Sequence, residues 1–313
     1  MKSLVIGGNG FIGTNLVDAL LRAGHKVRVF DRYPSRFREP NPEVENVVGD
    51  CGNHGEVQEC VKDIDFVFHL AYTTLPHTSN EDPVYDIRSN VVDTVQLLQA
   101  CRLSKVSKVI FVSSGGTVYG IPQQTPITEE HPTNPICSYG ITKLTIEKYL
   151  QLFHRLYGLE YVTVRLSNPY GEQQNPNAKQ GAVTVFLGNI LHEKPITIWG
   201  DGEVVRDYIY IGDAANAMLK AATYQAPAGA PRIFNVGAGE GYSLNQLIGN
   251  MRQVCDLNVN VEYTPGRPED VPSNVLDIES ARKWLNWEPQ VKLKDGLAKT
   301  WKWLRSLEPA RAD

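Results

Sequence analysis

Short apolar runs alternate with helical spacings through the first half of the chain. Ser3–Gly7 reads as a buried strand. Gly13–Ala23 carries Leu16, Ala19, Leu20 and Ala23 at helical spacing. Strands follow at Lys26–Phe30, closing on Asp31, at Val44–Val48, closing on Gly49-Asp50, and at Phe66–Ala71. Val91–Ser104 is a helical stretch with Val92, Val95, Leu98 and Leu103 on or near one face. Val109–Ser113 is a fifth strand, Tyr139–Tyr157 a helix and Tyr161–Leu166 a sixth strand. Strands that alternate with helices predict right-handed βαβ units, and so an α/β, doubly wound parallel sheet covered on both faces.

The second half has another texture. Pro and Gly are more frequent and the strands shorten. Pro195–Trp199 and Asp207–Ile211 are strand-like and flank Gly200-Asp201-Gly202, which reads as a turn. Ile233–Val236 is a strand before Gly237-Ala238-Gly239, and Ser243–Val254 and Ser280–Trp284 are helical. The expected organisation is a sheet-forming domain over residues 1–170, to which 212–238 return, and a smaller C-terminal α/β substrate-binding lobe over 171–211 and 239–313.

A chain of 313 residues with 42% hydrophobic content buries a sizeable core without staples. Its net charge of −4, from 31 basic and 35 acidic residues, contains no block of one sign. Nucleic acid and membrane surfaces are therefore not expected partners. Five cysteines, an odd number without a CxxC pair, read as reduced thiols in the cytoplasm, with neither a disulfide framework nor a metal site. The chain runs from Met1 straight into a strand, unlike a secretory signal, and no apolar stretch approaches membrane-spanning length.

Gly7, Gly10 and Gly13 form Gly-x-x-Gly-x-x-Gly between a strand and a helix. In that context Gly7 permits the tight turn, Gly10 admits a pyrophosphate close to the backbone, and Gly13 lets the helix pack on the sheet. The helix N-terminus then offers amide donors and a positive dipole to phosphates, with Phe11 and Ile12 in its first turn. Asp31, 18 residues after Gly13, can accept hydrogen bonds from adenosine ribose hydroxyls and would repel a 2′-phosphate. The expected cofactor of this Rossmann-type site is NAD. Arg32 is the one feature that suits NADP. Asp50 is placed either for an adenine amino group or as a strand-end cap. Cys51, Leu70 and Ala71 complete the expected cofactor contacts.

Tyr139 and Lys143 stand four residues apart on one helical face. An ammonium and a positively charged nicotinamide ring favour a phenolate, so the pair is expected to make a general acid/base for an alcohol proton.

Together with these motifs, Ser113-Ser114-Gly115-Gly116-Thr117-Val118-Tyr119-Gly120, Arg165-Leu166-Ser167-Asn168-Pro169-Tyr170-Gly171, Trp199-Gly200-Asp201-Gly202, Arg206-Asp207-Tyr208-Ile209-Tyr210 and Arg267-Pro268-Glu269-Asp270 occur in order. Over nearly its whole length the chain resembles the extended short-chain dehydrogenase/reductases, in particular the nucleotide-sugar epimerases and dehydratases. The resemblance implies Tyr139 as acid/base and Lys143 as the group that holds the nicotinamide ribose and tunes it. It implies Asn90 beside the cofactor, Asn168 at the substrate diphosphate, Arg206 and Arg267 on that diphosphate, and Asp270 near the nucleoside ribose. Bidentate arginines suit a diphosphate; Arg206-Asp207 can also be read as a local ion pair. The helices Val91–Ser104 and Tyr139–Tyr157 would form a homodimer interface, although the same apolar stripe could pack on the sheet.

Dehydratases and decarboxylases of this group carry an acid two residues before the Tyr119 position, where this chain has Thr117. The reaction that remains is epimerisation at C4 of a nucleotide sugar, of the UDP-glucose/UDP-galactose type, through a 4-keto sugar. The hydroxyl residue usual four positions before Tyr119 is Gly115 here, which leaves Ser114 or Thr117 to bond the sugar O4. Glu172 and Gln173 stand where the group more often has Pro-Arg, which removes a positive charge near the substrate channel. Asn274 replaces a bulky tyrosine that excludes N-acetylated sugars in galactose epimerases, and is expected to admit them. Another NAD-dependent oxidoreductase, such as a 4-keto reductase, a uronate 4-epimerase, or a non-catalytic NAD sensor are the competing readings.

Overall fold

The computed structural model describes residues 1–36, 38–178, 180–266 and 271–307. β1 (Lys2–Ile6) leads through the glycine turn into α1 (Phe11–Arg22), then β2 (Lys26–Asp31) and β3 (Val44–Val48). α2 (His54–Cys60), β4 (Phe66–His69), α3 (Pro83–Asp86), a π-helical turn (Ile87–Val92) and α4 (Asp93–Leu103) follow. Next come β5 (Lys108–Ser114), α5 (Ser138–Tyr157), β6 (Glu160–Leu166) and β7 (Asn168–Tyr170). These strands, with β10 (Ile233–Val236) and without β7, form a seven-stranded sheet in the order β10-β6-β5-β4-β1-β2-β3, parallel throughout. The expected doubly wound sheet is present. Its order reverses at β1, between β2 and β4, and the carboxyl ends of the strands open into a crevice there.

Strand alternation divides the core. Val5 faces one layer, with Leu16, Val17 and Leu20 of α1 and Ala214 and Met218 of α7 (Ile211–Thr223). Leu4 and Ile6 face the other, with Val57, Leu97, Leu98, Ile146 and Leu150 from α2, α4 and α5.

A third cluster lies among α6 (Ala182–Leu191), β8 (Ile196–Trp199), α8 (Leu244–Cys255) and α10 (Leu293–Leu307). β9 (Val205–Tyr210) pairs with β7, with β11 (Gly241–Ser243) and with β13 (Ser273–Asn274). β8 pairs instead with β12 (Val261–Thr264), so the strands flanking Gly200-Asp201-Gly202 belong to different sheets. α9 (Glu279–Leu285) packs near β10. Ser243 starts α8 with a reciprocal capping box to Gln246.

Several boundaries differ from expectation. β4 stops at His69, leaving Leu70 and Ala71 on the crevice rim. The Val91–Ser104 helix begins earlier, through the π turn. β9 ends at Tyr210, because Ile211 already starts α7. No helix among the described residues is long and apolar enough to cross a membrane.

Candidate active site

The crevice is a cleft of about 380 Å³, lined by Gly7, Gly10, Asp31, Arg32, Cys51, Leu70, Ala71 and Asn90 among the expected cofactor residues. Gly7 has a φ of +81°, and a Cβ there would stand 2.8 Å from the Ala71 nitrogen. A Cβ on Gly13 would collide with the Gly7 carbonyl oxygen. A Cβ on Gly10 would meet only the Gly7 carbonyl oxygen, at 3.4 Å. No side chain caps α1, so the first-turn N–H groups of Phe11, Ile12 and Gly13 are left for an anion, while the Phe11 and Ile12 side chains pack on the core. These features fit a dinucleotide pyrophosphate.

Asp31 accepts hydrogen bonds from the Asn9 N–H at 3.0 Å and the Tyr33 N–H at 3.2 Å, which fixes its carboxylate on the rim of the cleft. Arg32 is turned to Asp50, at 2.8 Å. Hydrogen bonding to Arg32 holds the Asp50 carboxyl below its usual range. Asp50 also accepts from the Gly52 N–H at 2.9 Å and does not line the cleft, so its contacts are those of a strand-end cap. Arg32, the one group suited to a 2′-phosphate, is thus paired with an anion.

At the other end, α5 presents Tyr139 and Lys143. A Cβ on Gly140 would stand 2.8 Å from the Thr117 carbonyl oxygen, so glycine lets the start of α5 press on the Thr117 segment. The first N–H groups of α5 are capped from the loop before α3: Ser138 donates to Asn80 Oδ1 at 2.9 Å and Tyr139 to Ser79 Oγ at 3.0 Å. The Tyr139 hydroxyl has no hydrogen-bond partner among the described residues. Lys143 donates to the Val112 carbonyl at 2.7 Å, and its Nζ lies 5.5 Å from the centre of the Tyr139 ring.

Burial acts on both members of this pair. Burial pushes the Tyr139 hydroxyl up, and Cys137 and Asp86 push the same way. Burial also pushes Lys143 down, to about 7, against Glu147 and Asp86, which raise it. A desolvated ammonium is drawn to a carbonyl and to ring faces rather than spent on the phenol.

Beneath this pair lies a carboxylate that the sequence reading missed. Asp86 is fully buried and accepts hydrogen bonds from Thr74 (2.5 Å), Asn90 (2.9 Å), Ser138 (2.7 Å) and Thr142 (3.0 Å). Asn90 is held by it and accepts the Thr73 N–H at 3.0 Å. Glu147, one turn beyond Lys143, is buried against Arg165 at 2.7 Å and accepts from Ser113 at 2.5 Å. The signals in the sequence were weak: an acid four residues before Asn90, and hydroxyls at 138 and 142 beside the Tyr-Lys stripe.

A Cβ at Gly115 would stand 2.5 Å from Leu276 Cδ1, so Leu276 fills the space of a longer side chain there. Ser114 is half-buried at the end of β5, and Thr117 Oγ1 is buried without a partner. Asn274 Nδ2 donates to the Gly115 carbonyl at 3.1 Å, and its Oδ1 is buried and unpartnered.

Asn168 donates to the Asp207 carbonyl at 3.0 Å, and Arg206 donates to the carbonyls of Val205 (2.9 Å) and Val271 (2.6 Å). The Asp207 side chain takes the N–H groups of Ala238, Gly239 and Leu276 and the Ser167 hydroxyl. Burial raises its carboxyl to about 6. Glu172 accepts from the Tyr210 hydroxyl through both carboxylate oxygens. Arg267 and Asp270 lie outside the described residues.

A parallel sheet with a glycine-turn crevice and a Tyr-Lys pair at its far end defines a dinucleotide-dependent enzyme of the short-chain dehydrogenase/reductase type. The model of the NAD dependent epimerase/dehydratase family matches residues 3–237, and the chain belongs to that family. It is 36% identical to a UDP-glucose 4-epimerase of Mycolicibacterium smegmatis, over 98% of this chain and 99% of the relative. It is 34% identical to a dTDP-4-dehydro-6-deoxyglucose reductase of Escherichia coli, over 96% and 97%. The crystal structure of the Thermotoga maritima UDP-glucose 4-epimerase with UDP-glucose superposes with a TM-score of 0.93 at 34% identity, covering 98% of this chain and all of that one.

Proposed function

We propose that this protein is an NAD-dependent epimerase that inverts C4 of a UDP-sugar of the glucose/galactose type. The observation that carries the reading is the make-up of the chemical end: an unpartnered phenol, Tyr139, with the hydroxyls Ser114 and Thr117 and, among the described residues, no free carboxylate beside them. Such a set moves an alcohol proton and has no base for a carbon-bound one.

Residues 1–170 with 212–238 hold the cofactor, and 171–211 with 239–313 hold the sugar nucleotide. Tyr139 takes the O4 proton and later returns it. Lys143 holds the cofactor ribose and, when protonated, favours the Tyr139 phenolate. Thr117 and Ser114 orient O4, and Asn168, Arg206, Arg267 and Asp270 hold the nucleotide. NAD, when bound, supplies the hydride acceptor and donor at C4. Asn274, a small polar side chain bonded to Gly115, leaves room for an N-acetyl group. Exposed Val84, Ile87, Val92, Ile141, Leu152 and Leu156 support a homodimer through the α3–α4 segment and α5. The balanced charge supports a partner set without nucleic acid, and the free cysteines a cytoplasmic protein.

The test is conversion of UDP-galactose to UDP-glucose by purified protein without added cofactor, with Tyr139→Phe as control and UDP-N-acetylglucosamine as second substrate. Conversion that vanishes in the control supports the reading. The similarity to a reductase gives the one competing reading: stoichiometric consumption of added NADH or NADPH with a 4-keto nucleotide sugar, and no interconversion, would replace it.

A further inference from the structure

We propose that Tyr72 is a positioning residue for Lys143, holding its ammonium in the protonated form by presenting a ring face to it. The inference rests on the reading of Lys143 as the partner of Tyr139. Tyr72 follows Ala71 on the cleft wall. Lys143 Nζ lies 3.9 Å from the centre of its ring, closer than to Phe111 (4.9 Å) or Tyr139 (5.5 Å). Tyr72 also meets Tyr139 edge-to-face, with ring centres 4.7 Å apart. A cation within about 6 Å of a ring centre is attracted by the ring quadrupole, most strongly where water is excluded.

Among the described residues, none of the charged groups that face Lys143 forms an ion pair with it, which leaves a part for the ring. Glu147 on α5 is engaged by Arg165 and Ser113, and Asp86 at the end of α3 by four donors. His69 on β4 is buried and held down to about 3, so it is neutral. Tyr139 is neutral by burial. On β5, Val112 offers a single carbonyl and Phe111 a more distant ring. Against these, burial drives Lys143 toward its uncharged form. Beside the Val112 carbonyl and the fields of Glu147 and Asp86, the nearest aromatic face is a further support for the cation.

The hydroxyl of Tyr72 shows that this second phenol is not a second acid. It bonds Thr142 Oγ1 and stands 3.4 Å from the Tyr139 carbonyl. The other partners of Thr142 Oγ1, namely Asp86 Oδ2 and the carbonyls of Ser138 and Tyr139, only accept. Whichever way the Tyr72–Thr142 bond runs, the Tyr72 hydroxyl has an acceptor, either Thr142 Oγ1 or the Tyr139 carbonyl. Its proton is engaged away from the cleft, and its ring is left to face Lys143.

Lysine labelled with ¹³C at Cε, titrated by NMR, reads this directly, with the Lys143 signal assigned by its loss in Lys143→Arg. In Tyr72→Leu the Lys143 midpoint should fall by about one pH unit, while Tyr72→Phe should stay within about 0.3 unit of wild type. Tyr72→Met is the second non-aromatic variant should the leucine protein not fold. A wild-type midpoint in the folded non-aromatic variant, or an equal shift in Tyr72→Phe, overturns the proposal. The titration needs no turnover, so it stands or falls apart from whether UDP-galactose is a substrate.

Discussion

At the Asp31 end of the cleft, charged groups meet water; at the Tyr139 end they are sealed from it. The Arg32 and Asp50 side chains keep 40% and 49% of their surface exposed. Lys143, Asp86 and Glu147 are buried. An exposed ion pair contributes little net stability, because solvent screens it and two side chains lose freedom. A buried charge costs several kcal/mol unless it is fully hydrogen-bonded, so each one at the Tyr139 end is tied into a network. The contrast separates two jobs. One end offers a cofactor a charged rim, and the other holds its polar hydrogens at named atoms.

The largest effect should come from the unpartnered phenol. Tyr139→Phe is expected to lower turnover by about 10²–10⁴-fold while leaving bound cofactor unchanged, read by steady-state kinetics and by the cofactor content of the purified protein. Loss of cofactor together with activity would mean that the two ends are not separable. Next is Asp86→Ala, which strands four donors and should cost about 3 kcal/mol in urea unfolding. An effect below about 1 kcal/mol would place Asp86 with the exposed acids.

Lys143→Met gives a signed pH test. Because the folded pKa, about 7, lies below the ordinary value of 10.5, the unfolded chain binds more protons between those limits. Wild-type stability from this group therefore rises with pH across that window, and its burden is full below it. The unfolding free energy of the variant relative to wild type should be highest near pH 6 and decline toward pH 10, a swing of about 4 kcal/mol read by urea unfolding. An opposite slope would show that Lys143 gains charge stabilisation on folding. The smallest effect belongs to the exposed pair. Asp50→Ala should change stability by less than about 1 kcal/mol and, by releasing Arg32, weaken the preference for NAD over NADP only a few-fold. A change of cofactor preference above about tenfold would mean that Asp50, rather than Asp31, sets it.

The Asp31 end was legible because its shape is set by backbone geometry. Glycines at 7, 10 and 13 and an acid closing β2 leave few other readings. The Tyr-Lys pair was legible as a spacing, but its charge balance was not, since burial works against the phenolate and against the ammonium alike. Asp86, Tyr72 and Thr142 were missed because their roles arise from contacts between distant segments, such as Ser138 and Thr142 on Asp86, 52 and 56 residues away. Among the elements, α10 shows the same limit in reverse. Its buried Leu293, Leu297, Thr300, Trp301 and Leu304 have helical spacing, yet Lys, Asp and Arg between them dilute the pattern. α6 was obscured otherwise, by β-branched residues in Ala182–Leu191 that suit a strand as readily. The space that Leu276 takes at Gly115 is a tertiary fact with no local sign.

The π turn at Ile87–Val92 sets a particular bargain. It adds a residue to one helical turn, directly between Asp86 and α4. Deleting Ile87 would restore regular α-helical pairing and so improve the segment as a helix. It would also rotate Asp86 by about a quarter turn away from Ser138 and Thr142. The hydrogen bonds given up at Asp86 would cost more than a regular helical turn returns, so the chain length at this point is set by a buried carboxylate and not by the helix that carries it.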